Sequence, residues 1–219
     1  MNAITQNVLQ KMQSILLAAI VVLSLWVWGA TALEAQTGIT TKPYRVSLPI
    51  PNELTKKKGL SYGEEVEHLA GSLTKAYKIP SDRAQNFADW ILQASTYSDV
   101  PEELLAGLIM TESSFKYNSV SSSGAIGPGQ LKPKYWNKKC PGGLKNPKNN
   151  VMCAATVLRH YYEEYCDANW QCAVRTYNVG PSNMNERLTA RASIRYLKKV
   201  NNHMQILANI HQFDSNFSL

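Results

Sequence analysis

Glu112 is the residue in this sequence best placed to do chemistry. It sits near the start of LIMTESSFKYNSVSSSGAIGPGQL (Leu108–Leu131), and Leu105, Leu108, Ile109 and Glu112 stand at i, i+3, i+4 and i+7. That spacing puts the carboxyl on the apolar face of a helix. A carboxyl flanked by apolar groups is poorly solvated, which raises its pKa and lets it keep a proton near neutral pH. Such a group meets the requirement for a general acid in glycoside cleavage. The plainer alternative is a last-turn glutamate that swings out to solvent. Beside it, Ser119, Ser121, Ser122, Ser123, Gly124, Gly127, Gly129 and Gln130 supply hydroxyl, amide and backbone groups. Tyr117, Tyr135 and Trp136 supply aromatic faces. Sugars need this kind of surface, although an ordinary flexible Ser/Gly loop has a similar composition.

The carboxyl has no companion nearby in the chain. Retaining and inverting glycosidases normally use two carboxyls about 5–10 Å apart. Here no Asp or Glu occurs between Glu112 and Glu163, and Glu163 and Glu164 fall far along the next long helix. Asp99, Glu102 and Glu103 are not placed by sequence alone. The gap favours chemistry by a single carboxyl.

The elements that must position Glu112 are helical. Val66, Leu69, Leu73 and Tyr77 follow three- and four-residue steps that end before Pro80. Ser81 is expected to N-cap a second helix with Ala84, Phe87, Ala88, Ile91 and Leu92 on one face. Asp99 is expected to cap a third, with Pro101 just inside it and Glu102 and Glu103 at its positive end. After a loop over 116–149 come a long helix from about Asn150, a short one around Trp170–Tyr177, and another from about Glu186 to Val200. Strand signals are poor, so the domain is mostly α, with at most a small β-hairpin or irregular loop in 116–135.

The front of the chain differs in character. No charged residue occurs from Gln13 to Leu33, Ile15–Val27 is almost continuously apolar, and Lys11 precedes it. Ala30-Thr31-Ala32 has cleavage-like spacing, so residues 1–32 read as a signal peptide. An uncleaved inner-membrane anchor over 14–33 is the alternative, since the run is near the ~20 residues that span a bilayer. Trp26 and Trp28 would then sit at an interface. Both readings export the rest of the protein to the periplasm or cell envelope. Residues 33–60, with Gly38, Pro43, Pro49, Pro51 and Lys56-Lys57-Lys58, read as a linker or arm, and 61–219 as the catalytic domain.

The four cysteines, Cys140, Cys153, Cys166 and Cys172, all lie in the distal part, and an even set in an exported chain suggests two disulfides. If Asn150–Tyr165 is a helix, Cys153 and Cys166 are about 20 Å apart along it, beyond the ~7 Å reach of a disulfide. Of the two remaining connectivities we expect the more local, Cys140–Cys153 with Cys166–Cys172. No CxxC pair occurs and the histidines are scattered, so no metal site is expected. The net charge of +7 suits either solubility or an anionic partner such as the cell wall. No basic run is interleaved with aromatics, which disfavours nucleic acid.

Three blocks carry a resemblance. Glu112-Ser113-Ser114-Phe115 with Ser121-x-x-Gly124-Ala125-x-Gly127-x-x-Gln130-Leu131 is similar to the signature of lytic transglycosylases with a goose-type-lysozyme-like (SLT) catalytic domain. Asn150-Val151 resembles the family's Asn-Ile block, and Ala173-Val174-Arg175-Thr176-Tyr177-Asn178-Val179-Gly180 its Ala-Tyr-Asn-x-Gly block. The match spans roughly Val100–Val200, with the blocks in the right order. It implies a lysozyme-like helical domain whose small loop or hairpin region lines a glycan cleft. By the resemblance Glu112 is the catalytic acid, Ser121, Gln130 and Asn178 line the cleft, and Tyr177 lies close to Glu112 and helps hold it. Ser121 and Gln130 as loop-stabilising groups, and Tyr177 as a packing residue, are the plainer readings.

Two departures stand out. Gly127-Pro128-Gly129-Gln130 occupies the place of the family's usual Gly-Leu-Met-Gln, and Ala154 stands where glycine is usual. The implied reaction cleaves the MurNAc-β-1,4-GlcNAc bond of peptidoglycan to give 1,6-anhydroMurNAc, without cofactor. A goose-type muramidase hydrolysing the same bond and a catalytically degenerate wall-binding protein are the alternatives. The implied partners are peptidoglycan glycan strands. Local wall opening serves secretion and conjugation machines, wall turnover, and phage entry or exit, so a machine spanning the cell envelope is a further partner class. A membrane is met only through the N-terminal segment.

Overall fold

The computed structural model describes residues 59–184 and 186–216, with side chains described to residue 210. The expected signal peptide or anchor, and almost all of the expected arm, lie outside the described residues. Among the described residues seven α-helices follow in order: α1 Tyr62–Tyr77, α2 Ser81–Ser98, α3 Glu102–Ser113, α4 Pro133–Trp136, α5 Pro147–Glu164, α6 Trp170–Val179 and α7 Arg187–Asn216. A 3-10 turn, Pro181–Asn183, separates α6 from α7. The described residues contain no strand. Of the two forms expected for 116–135, a small hairpin or an irregular loop, the chain takes the irregular loop, with two isolated antiparallel bridges, Val120–Ile126 and Ile126–Leu131.

Local chemistry sets the boundaries. Ser61 N-caps α1 in a reciprocal box: its side chain accepts from the Glu64 N–H, and the Glu64 carboxylate accepts from the Ser61 N–H at 2.7 Å. Two expected caps are corrected. Ser81 is the first residue of α2, and Pro80 precedes it as the cap. Asp99 closes α2 instead of opening α3: at φ 50° it takes the left-handed form that Asp tolerates, and Pro101 caps α3. The Asp99 carboxylate is instead drawn to Arg159, at 2.8 Å.

Helix α3 is the centre of the core. Leu104, Leu105, Ala106, Leu108 and Ile109 are all fully buried, so it is apolar around most of its circumference. Each fully buried Leu or Ile contributes ~1.5–3 kcal/mol, which fixes the helix that carries Glu112. Helix α7 packs along α3. It runs well past the expected end at Val200 because buried Val200, Met204 and Leu207 continue its apolar stripe. The approach depends on Gly107, where an added Cβ would lie 2.9 Å from the Val200 carbonyl oxygen.

Two disulfides close the distal half. Cys140 and Cys153, with Cα atoms 5.6 Å apart, join the segment after α4 to α5. Cys166 and Cys172, 5.5 Å apart, join the end of α5 to the start of α6. This is the expected local connectivity. Asn146 and Asn169 cap α5 and α6 by accepting the Asn149 and Cys172 N–H groups at 3.0 and 2.9 Å.

Candidate active site

Glu112 occupies the last turn of α3, and the chain leaves that helix abruptly. Ser114 (φ 52°) and Phe115 (φ 56°) are consecutive left-handed residues, an arrangement that costs roughly 1–2 kcal/mol per non-glycine residue. Burial of Phe115 offsets the cost: its ring is inaccessible and lies 5.1 Å from Phe87 and 5.6 Å from Tyr77. The turn is therefore anchored from below, and Glu112 stays half-buried instead of swinging free.

The partner of the carboxyl comes from the far helix. Tyr196 donates its hydroxyl to Glu112 Oε1 at 2.6 Å. Tyr196 lies one turn before Val200, so the close α3–α7 contact at Gly107 also delivers the phenol to the acid. Burial pushes the Glu112 carboxyl up to about 7, against the opposing effect of the Tyr196 hydrogen bond. Burial and the neighbouring Glu112 charge hold the Tyr196 phenol well above the usual tyrosine range, so it remains a donor.

The loop after Glu112 is built on Asn150, which is fully buried at the start of α5. Its Oδ1 accepts from the Gly129 N–H at 2.7 Å, and its Nδ2 donates to the Ile126 and Leu144 carbonyls, both at 3.0 Å. One side chain thereby pairs two backbone groups that the irregular loop leaves unpaired, the Gly129 N–H and the Leu144 carbonyl. It also adds a second donor to the Ile126 carbonyl, which already accepts from the Leu131 N–H at 3.0 Å. Gly127 (φ 75°) has to be glycine, because a Cβ there would overlap the Asn150 amide. Gln130 donates its amide to the Ser119 and Gly127 carbonyls at 3.2 and 2.9 Å. Ser121 Oγ accepts from the Ala125 N–H at 3.0 Å.

The departures from the family pattern fit one another. A Cβ at Gly129 would stand 2.6 Å from the Ala154 Cβ. The extra methyl on α5 occupies the space that a larger residue at 129 would need, so the small residue in the loop and the larger one on the helix are complementary.

All five residues singled out from the sequence, Glu112, Ser121, Gln130, Tyr177 and Asn178, line one cleft of about 680 Å³. Asn178 is exposed within it. Burial first, and the charge of Glu112 close by second, raise the Tyr177 phenol, but Tyr177 makes no hydrogen bond to the carboxyl. Its hydroxyl donates to the Gly129 carbonyl at 2.7 Å and ties α6 to the loop, while Tyr196 holds the acid. Glu112 is the one carboxylate among the described residues lining the cleft. Asp99 and Glu163 are paired instead with Arg159, at 2.8 and 2.7 Å.

A family model described as the transglycosylase SLT domain matches residues 89–199, just over half of the chain. The chain belongs to the transglycosylase SLT family. The matched span includes Glu112, the loop, Asn150, the Tyr177-Asn178 pair and Tyr196, while Tyr77 and Phe87, which brace Phe115, lie before it. Membership makes peptidoglycan the class of substrate.

The opposite wall of the SLT cleft is aromatic, and most of it escaped sequence reading. Trp136 stands edge-on to Tyr161 at 5.9 Å, and Tyr161 to Tyr165 at 5.9 Å, with His160 5.6 Å from Tyr165. Tyr135 and Tyr165 are more than half exposed, which leaves their rings free for a sugar face. Val157 and Tyr161 on α5 and Tyr165 at its C-cap recur every four residues, a stripe that could have marked this wall. Tyr117 does not belong to it. That ring stacks on Phe87 at 5.3 Å, and its hydroxyl accepts from Asn86 at 3.1 Å. The Cys140–Cys153 bridge ties the segment just past Trp136 to the helix that carries Tyr161.

Proposed function

We propose that this protein is a peptidoglycan lytic transglycosylase that cleaves the MurNAc-β-1,4-GlcNAc bond and leaves 1,6-anhydroMurNAc. The observation that carries the reading is a single half-buried carboxyl, raised to about 7 and held by Tyr196, in a cleft whose described lining has no second carboxylate.

Protonated Glu112 gives its proton to the bridging oxygen as the C1–O bond breaks, and the GlcNAc 4-hydroxyl leaves. The substrate's N-acetyl group stabilises the oxocarbenium-like C1. Glu112, now a carboxylate, takes the proton of the MurNAc 6-hydroxyl, whose oxygen closes on C1. The carboxyl returns protonated, and no water is consumed. A group near its midpoint at neutral pH suits both halves of this sequence. The Tyr196 hydrogen bond favours the carboxylate and keeps the second half accessible. A hydrolase would need a second carboxyl at about 5–10 Å to direct water, and the lining favours the transglycosylase over a goose-type muramidase.

Ser121, Gln130 and Asn178 would contact the glycan. The amide nitrogen of Gln130 is spent within the loop, so its carbonyl oxygen is the group left to accept a sugar hydroxyl. Tyr177 would shape the floor through Gly129. Export by the N-terminal segment, and service to an envelope-spanning machine, belong to the same proposal. Glu112→Gln tests it: release of soluble fragments from purified sacculi is expected to fall by ~10²–10⁴, with binding of sacculi retained. Wild-type-like release by that variant would overturn the assignment.

A further inference from the structure

Between Glu112 and Glu163 the chain carries eight Lys or Arg residues and no Asp or Glu, enough to account for the whole net charge of +7. Two of these cations, Lys132 and Lys139, line the cleft itself. Lys132 follows directly on Gln130-Leu131, and Lys139 holds its ammonium 5.3 Å from the centre of the Trp136 ring, on the aromatic wall. Both side chains are exposed, and neither has an ion-pair partner among the described residues. The Glu112 carboxyl is the one acidic group among the described residues lining the cleft and is already held by Tyr196. A neutral sugar chain has no use for two ammonium groups, whereas a glycan strand that carries peptides on its lactyl groups presents free carboxylates beside the sugars.

We propose that Lys132 and Lys139 form a subsite for the carboxylates of the stem peptides, so that the enzyme prefers peptide-bearing strands to naked glycan. This rests on the transglycosylase reading for its ligand, and it adds a choice among peptidoglycan strands. Partly exposed ion pairs are individually modest, so two together predict a preference of ~3–10-fold that shrinks as salt rises.

The test uses glycan strands of one length, prepared with their stem peptides and with the peptides removed by an amidase. Dissociation constants are measured with the full-length Glu112→Gln protein, and kcat/KM with the active enzyme. The expected ratio of stem-bearing to naked strands is ~3–10, falling to near 1 in Lys132→Gln/Lys139→Gln and returning in Lys132→Arg/Lys139→Arg. Lys138→Gln/Lys145→Gln removes the same charge from the same segment outside the cleft and should leave the ratio high. A parent ratio near 1, an equal loss on both strands in the cleft variant, or the same fall in the control pair would each overturn the subsite. Binding is read separately from cleavage. Loss of anhydro products would therefore sink the reaction assignment and still leave the binding ratio to decide this proposal.

Discussion

The raised Glu112 carboxyl should cost the protein stability at neutral pH, and that cost can be measured without substrate. The carboxyl's usual value is 4.5, and in the folded protein it is about 7. Between those values an unfolded chain has released the proton while the folded one keeps it, so stability falls as pH rises. Each pH unit across the window costs ~1.4 kcal/mol, which makes the full loss roughly 3 kcal/mol by pH 8. Below pH 4.5 both states are protonated and the cost vanishes. Glu112→Gln retains a carbonyl oxygen to accept the Tyr196 hydrogen bond, and it has no charge to desolvate. The variant should therefore match the parent in denaturant unfolding near pH 4.5 and exceed it by about 2–4 kcal/mol at pH 8. A variant no more stable than the parent at pH 8, or one whose advantage grows towards acid, would show that Glu112 is solvated like a surface glutamate. The account of its role as an acid would fail with it.

Three further outcomes follow from the site. Tyr196→Phe removes a hydrogen bond to an ionised carboxyl, worth about 1.5–3 kcal/mol. Its pH–rate profile should move to higher pH, with kcat/KM lower by about ten- to a hundredfold; an unmoved profile would exclude Tyr196 as the partner that sets Glu112. Asn150→Ala strands the Gly129 N–H and the Leu144 carbonyl, and thermal unfolding should report a loss of about 2–4 kcal/mol together with poor glycan binding. Gly129→Met should destabilise by about 1–3 kcal/mol through its clash with Ala154, and Ala154→Gly in the same chain should recover most of that. A double variant no better than the single one would refute the complementarity of the pair.

What could be read from the sequence was local. The stripe Leu105, Leu108, Ile109 and Glu112 carries its own three-dimensional meaning, because helical spacing alone decides which residues share a face. The length of one helix excluded one disulfide connectivity, and locality chose between the two that remained. Residues of the first and third blocks, which share no local period, meet in one cleft, and Asn150 of the second supports the loop from inside the fold. Tyr196 was illegible for a different reason: its position depends on how closely two helices cross, and that distance is set by Gly107 against Val200. Asp99 shows the limit of cap rules, since an Asp before a Pro can end one helix as readily as begin the next. Tyr117 shows the same limit for aromatic rings near a sugar loop, because ring type does not say which side of the backbone the ring will take. The lysines of the cleft wall were visible only as net charge until the fold placed two of them in the cleft that holds the acid.

The central claim is that one carboxyl acts first as acid and then as base, with the substrate's own hydroxyl as nucleophile. Mass spectrometry of the fragments released from purified peptidoglycan tests it most directly. The account predicts muropeptides ending in 1,6-anhydroMurNAc, with no oxygen taken up from labelled water. Reducing MurNAc ends that carry the label would contradict it and assign the cleft to a hydrolase.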